Sequence, residues 1–202
     1  MTDYSPTPTR QADAPVDDLF VTRWSPRAFD ATEITPAEVL QLLEASRWAP
    51  SANNAQPWRF VFAVRGDAAW DGMLACLAPG NRVWAAQASA LIAVASVTHK
   101  TSPTGEAVLN GSHAFDAGAA WAHLALSAHQ QGWATHAMGG FDRDAMAAAI
   151  ALPDQHALHA VVALGKRGDV ALLPAEIQSR EQPSPRRPIA ELAHAGRFAP
   201  AA

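Results

Sequence analysis

The stretch ALIAVASV, Ala90 to Val97, holds seven apolar residues and one serine. A run this short and this apolar reads as a strand buried on both faces, at the centre of a sheet. It is too short to cross a bilayer, which takes about 20 apolar residues. Hydrophobic residues make up 49% of the 202-residue chain, enough for the surrounding core and for one domain with or without extended arms.

The flanking segments predict what packs around that strand. Thr35-Pro36-Ala37-Glu38 is a helix start: Thr35 caps, Pro36 suits the first helical position and Glu38 completes a capping box. Val39, Leu42, Leu43 and Ser46 then share one face, and Pro50 stops the helix because proline disfavours a helical residue before it. Trp58, Phe60, Phe62 and Val64 alternate with Arg59, Val61 and Ala63, the period of a strand. Asp67 to Ala78 reads as a helix ended by Pro79-Gly80-Asn81, and THKTSPTGEAVLNG as a flexible polar loop. His113 to Gln131 reads as a long alanine-rich helix stopped by Gly132. Trp133 to Met138 is a strand broken by Gly139-Gly140, Asp142 caps a short helix ending near Ala151, and Ala157 to Gly165 is the last core strand. Pro174 to Pro188 is proline-rich and extended, with a short helix over Pro188 to His194.

Strands and helices mix without a βαβ rhythm, so the expected class is α+β: a small, mainly antiparallel sheet flanked by helices. Residues 1–18 read as a flexible N-terminal arm, 19–173 as the domain, and 174–202 as a C-terminal arm that wraps a partner subunit.

Several function classes are excluded. A net charge of −4 and a pI near 6.0 give no reason to expect nucleic acid or an anionic membrane surface. Cys76 is the only cysteine, so no intrachain disulfide or CxxC site exists. The N-terminus lacks a basic region followed by an apolar core, so a cytoplasmic location is expected. GxGxxG, GxxxxGK[ST] and GxSxG are absent. His156 and His159 have no HExxH or cysteine companion, so no metal site is expected.

Four segments could carry a ligand. In TRWSPRAFD, Arg23, Ser25 and Arg27 alternate, which puts two guanidiniums and a hydroxyl on one side of an extended chain, a fair oxyanion site. A solvated basic turn is the alternative. In APSANNAQPW, Ser51, Asn53, Asn54 and Gln56 stand between prolines, either as a plain turn or as donors and acceptors for a flat polar ligand. In MGGFD, Gly139 and Gly140 let a backbone N–H approach a planar ligand, or simply make a tight turn. In SPRRP, Arg186 and Arg187 could close on a phosphate or lie solvated on a tail.

The order RWSPRAF, capped helix, APSANNAQPWRF, GGFD, PRRP resembles the FMN-dependent nitroreductase family over roughly Leu19 to Leu192. That resemblance implies a homodimer with FMN at the subunit interface and a C-terminal arm embracing the other subunit. It places Arg23, Trp24 and Ser25 at the phosphate and ribityl end and Arg27 near the pyrimidine edge. Pro50, Ser51, Ala52, Asn54 and Gln56 come from the opposite subunit. Met138, Gly139 and Gly140 lie towards N5 and the dimethylbenzene side, and Arg186 or Arg187 completes the phosphate clamp. Some family members carry an acidic residue where Gly139 stands. Asn81 resembles a family asparagine only loosely. The implied chemistry is ping-pong: NADH or NADPH delivers hydride to flavin N5, and a nitroaromatic, quinone or enone acceptor removes it. No side-chain acid is required, and Arg27 acts as an electrostatic stabiliser. A specialised enzyme of the same fold and a non-catalytic FMN-binding protein are the alternative readings.

Overall fold

The computed structural model describes residues 10–102 and 104–198, so the first nine residues of the expected N-terminal arm and the last four of the C-terminal arm lie outside the described residues. Helix α1 (Asp18–Thr22) starts at Asp17, whose carboxylate accepts from the Leu19 amide. After an extended segment comes α2 (Pro36–Arg47), entered through the predicted capping box: the Glu38 amide donates to Thr35 Oγ1, and the Glu38 carboxylate accepts from the Thr35 amide. Val39, Leu42, Leu43 and Ser46 are its buried face, as their spacing requires.

Strand β1 (Trp58–Val64) leads to helices α3 (Trp70–Ala75) and α4 (Pro79–Ala85). The apolar run is β2 (Ala90–Val97), followed by β3 (His99–Thr101) and β4 (Ala107–Leu109). Helix α5 (His113–Gln130), strand β5 (Ala134–Met138), helix α6 (Arg143–Ala149), strand β6 (His156–Gly165) and helix α7 (Ala175–Gln178) complete the order. Gly132, at φ +72°, makes the left-handed turn that releases α5 into β5.

The main sheet runs β1-β2-β6-β5 with every pair antiparallel. β2 sits inside it, and its alternate side chains serve two cores. Leu91 and Ala93 pack with Trp70, Met73, Trp84 and Met146 on one face; Ile92 and Val94 pack with Val39, Leu42 and Leu124 on the other. Helices α3, α4 and α6 therefore cover one side, and α2 and α5 the other. Each fully buried large aliphatic side chain contributes roughly 1.5–3 kcal/mol. Polar Ser96 is tolerated in the apolar strand because two histidines satisfy its hydroxyl.

Three local expectations change. Pro79 begins a helix instead of ending one, because the first helical position needs no N–H. The polar segment after β2 is a β-hairpin, β3 pairing with β4 from His99↔Leu109 to Thr101↔Ala107. It is exposed along most of its length, so it carries no alternation to read. The extended C-terminal stretch contains α7, and a 3-10 turn over Ile189–Glu191 replaces the short α-helix expected there. No helix of the described residues is long and apolar enough to cross a membrane.

Candidate functional site

The segment after α1 is held as a strap across the end of β6. Phe29 forms an antiparallel bridge with Arg167, the Gly168 amide donates to Ala28 O at 2.8 Å, and the Asp30 amide donates to Lys166 O at 3.2 Å. The strap lies so close that a Cβ on Gly168 would meet the Phe29 carbonyl carbon at 2.8 Å and the Asp30 nitrogen at 2.9 Å. A Cβ on Gly165 would meet the Phe29 ring at 2.7 Å. Glycine at both positions is what lets the strap seat, and the strap aims Arg23, Ser25 and Arg27.

The C-terminal segment closes over it. The Glu181 carboxylate accepts from the Arg27 amide at 2.9 and 3.0 Å, and from the Ala28 amide at 2.9 Å. Arg27 Nη1 donates to Arg180 O at 3.3 Å. Between strap and segment lies a cavity of about 430 Å³ lined by Arg23, Trp24, Ser25, Arg27, Arg180 and Arg186, with His136 from β5 among its other walls. None of its lining residues is acidic.

Positive charge is concentrated there. Arg10 is buried beneath the strap, its Nη1 donating to Arg23 O at 2.8 Å. Burial pushes the Arg23 guanidinium below its ordinary range, and neighbouring Arg10 and Arg186 push the same way. Arg27 is also lowered, first by burial and then by Arg180, while Glu181 opposes the shift. His136 is held below its ordinary value chiefly by burial; it lies against Pro26 O at 2.9 Å and packs on Trp84 with the ring centroids 4.6 Å apart and tilted by 36°. Guanidiniums crowded against one another without a lining carboxylate form an anion-accepting site.

The structure thus brings together Arg23, Trp24, Ser25, Arg27 and Arg186. Arg187 is exposed and is not among the lining residues. The loop of Pro50, Ser51, Ala52, Asn54 and Gln56 lies outside this cavity. It folds as a tight turn with left-handed Asn53, Asn54 and Gln56, at φ 53°, 54° and 45°. Ser51 Oγ accepts from the Gln56 amide at 3.0 Å, and the buried Asp116 carboxylate accepts from the Ala52 amide at 3.3 Å. Met138 is buried in the core and is not among the residues lining the cavity. Gly139 and Gly140 are exposed at the end of β5. Asn81 Nδ2 donates to Gly140 O at 3.0 Å, so that asparagine braces the glycine pair.

Arg10, Arg180, Glu181 and His136 were not singled out from the sequence as site residues. Only their proximity in space marks them, since Glu181 meets a strap 154 residues earlier. A separate polar cluster sits in the sheet. The β2–β6 register shifts at Val94/Ala95, leaving His159 as the extra residue of a bulge. There it reaches Ser96 Oγ at 2.7 Å, and His113 reaches the same oxygen at 2.7 Å.

The strap and the C-terminal segment of this antiparallel α+β fold enclose an arginine-lined cleft whose donors suit a small anionic group. Comparison with known proteins narrows that reading. The pattern of the nitroreductase family matches residues 21–166, and the chain belongs to that family. A crystal structure described as an oxidoreductase containing FMN superposes with a TM-score of 0.92 at 43% identity, covering 96% of this chain and 98% of the other. An uncharacterised 15.4 kDa protein of Mycolicibacterium smegmatis is 34% identical over 69% of this chain and 97% of its own. A Rhodopseudomonas palustris protein with the provisional name NADH dehydrogenase/NAD(P)H nitroreductase is 34% identical over 45% of this chain, and the match spans 47% of that relative's length.

Proposed function

We propose that the protein is an FMN-dependent oxidoreductase that passes hydride from NADH or NADPH, through the flavin, to a small electrophilic acceptor of the nitroaromatic, quinone or enone type. The observation that carries this reading is the cavity in which Arg23, Arg27, Arg180 and Arg186 converge with Ser25 and no acidic lining residue. That donor set fits the phosphate of FMN, and the FMN-containing relative at 43% identity supports the same choice. When bound, FMN supplies hydride acceptance and donation at N5.

The chain's own residues do the rest. Arg23, Ser25 and Arg186 hold the phosphate end, and Arg186 is better placed for this than Arg187. Arg27, pinned by its backbone to Glu181 and by its guanidinium to Arg180, is a fixed positive charge that would serve the ring's pyrimidine edge once FMN is bound. Gly139 and Gly140 offer backbone without a side chain in the way. Trp24 and His136, the latter packed against Trp84, supply aromatic walls to the cavity.

The same proposal makes the protein a cytoplasmic homodimer in which Pro50, Ser51, Ala52, Asn54 and Gln56 serve the partner's flavin. The loop's position outside the arginine cavity supports that assignment. So do exposed apolar side chains that a partner would cover, including Trp48 at 70% and Phe115 at 83% exposure. Of the C-terminal arm, residues 174–202, the part up to Ile189 bonds to its own chain, so in the dimer it is the part beyond Ile189 that is left to reach the other subunit.

The test is direct. Purified protein is expected to carry or take up FMN, to be reduced anaerobically by NADH or NADPH, and to be reoxidised by a nitroaromatic. Arg23→Ala is expected to weaken FMN binding at least about tenfold, the size of a lost charge-assisted hydrogen bond. A protein that stays colourless after incubation with FMN would overturn the reading.

A further inference from the structure

A second cavity, of about 380 Å³, lies between the Pro50–Pro57 loop and the β3–β4 hairpin. Its walls include Asn53 and Ala55 from the loop, Arg59 from β1, and His99 and Lys100 from β3. No aspartate or glutamate lines it, although the chain carries a net charge of −4. Among the described residues the ion pair formed is Arg47 with Glu44, so neither Arg59 nor Lys100 has a carboxylate partner.

Arg59 is also partly fixed. Its Nη1 donates to Gln56 O at 3.1 Å and to Trp58 O at 2.7 Å. Those bonds hold the guanidinium by one nitrogen and leave its remaining N–H groups uncommitted. A planar fork anchored in this way loses little freedom when it meets a carboxylate, and Lys100 adds a mobile second charge. His99 is oriented by Thr98 Oγ1 at 2.9 Å. The hairpin that carries Lys100 and His99 pairs only with itself, so its place over the loop shapes this cavity and does not extend the main sheet.

We propose that this cavity binds the anionic group of the electron-accepting substrate, so that the protein prefers acceptors bearing a carboxylate. The inference rests on the flavin reading above, because the loop forming one wall is the loop assigned to the partner's flavin. Arg59 and Lys100 would then be the groups that receive the acceptor's charged end. Neutral acceptors would lack that anchor.

The experiment compares 4-nitrobenzoate with 4-nitrobenzamide, which match in shape and differ in charge. Equilibrium binding of each to the full-length protein is measured with wild type, Arg59→Gln, Lys100→Gln and the double variant. Wild type is expected to bind the benzoate tighter than the benzamide by about tenfold or more. The double variant is expected to lose that preference while binding the benzamide within about twofold of wild type, and its KM values are expected to follow the same pattern. FMN content is measured in parallel: Lys100→Gln is expected to leave it unchanged, whereas Arg59→Gln also removes a bond to Gln56 O in the flavin loop, so the Arg59 variants are compared with wild type at equal FMN loading. Equal binding of the two probes by wild type overturns the proposal, as does a preference that survives in the double variant. Altered affinity for NADPH relative to NADH, with the benzoate preference intact, would assign the cavity to the nucleotide's phosphate and also overturn it. Failure of the protein to take up FMN would instead sink the flavin reading, and the binding comparison distinguishes the two.

Discussion

Glu181 is the residue whose removal should most clearly separate the strap from the rest of the fold. Its Oε1 alone accepts from both the Arg27 and Ala28 amides, each at 2.9 Å, while Oε2 adds a second contact to Arg27 at 3.0 Å. Ala28 is 1% exposed, so its N–H has no water to turn to when the carboxylate goes. A hydrogen bond to a charged group is worth about 1.5–3 kcal/mol, and half-buried Arg27 recovers part of its share from solvent. Glu181→Ala should therefore cost about 2–4 kcal/mol, a large fraction of the roughly 5–15 kcal/mol that holds a domain together. Glu181→Gln keeps one oxygen able to bridge both amides and should cost about 1 kcal/mol, the difference between charged and neutral acceptors. Urea unfolding of the flavin-free protein, followed by tryptophan fluorescence, measures both without stabilisation from bound cofactor. A Glu181→Ala midpoint equal to wild type would show that the C-terminal segment does not hold the strap. Equal damage from alanine and glutamine would show that charge, and not acceptance by Oε1, is what matters.

Other perturbations probe other parts of the same construction. Gly168→Ala drives a methyl group against strap backbone at 2.8 and 2.9 Å and should destabilise by about 1–3 kcal/mol or more, read as a fall in Tm with FMN affinity falling in step. Thr35→Ala removes the α2 capping box and should cost about 1 kcal/mol in urea unfolding, whereas Thr35→Ser should restore most of it. His129, His136 and His159 are all held below the ordinary histidine value of 6.5, mainly by burial, so the folded state keeps them neutral. Below about pH 6.5 the unfolded chain takes up protons that the fold refuses, so stability present above that pH is lost as pH falls. For His159 the neighbouring charges are His113 and Arg143, and His159→Gln should flatten the acid limb of a stability–pH curve.

What could be read from the sequence was what is encoded locally. The α2 capping box lies within four residues, and the apolar run of β2 needs no partner to be recognised. Asp142 announces α6 by the same logic, its carboxylate accepting from the Ala145 amide at 3.0 Å. Pro79 misled because Pro-Gly-Asn is also turn chemistry, and only the following turn of helix shows which use is made of it. The β3–β4 hairpin was invisible because an exposed ribbon has no buried face to impose a period. The order of motifs, not any one of them, pointed to Arg23, Ser25 and Arg27 meeting one of the C-terminal arginines, but it could not separate Arg186 from Arg187, which only the chain's path in space distinguishes. Arg10, Arg180 and Glu181 were not legible, because their roles depend on two distant ends of the chain meeting over β6.

That meeting has a consequence for how the protein is made. The walls of the arginine cavity come from residues 23–27, from His136 and from residues 179–186. β6, which pairs with β2 inside the sheet, ends only at Gly165. At 5–20 residues per second, roughly 10 to 30 s separate synthesis of Arg27 from synthesis of Arg186. For most of that interval the strap's arginines lack β6, and throughout it they lack their complete covering segment. The cleft is completed only once residues 179–186 have emerged, so any shorter nascent chain has no finished site in which to trap a ligand.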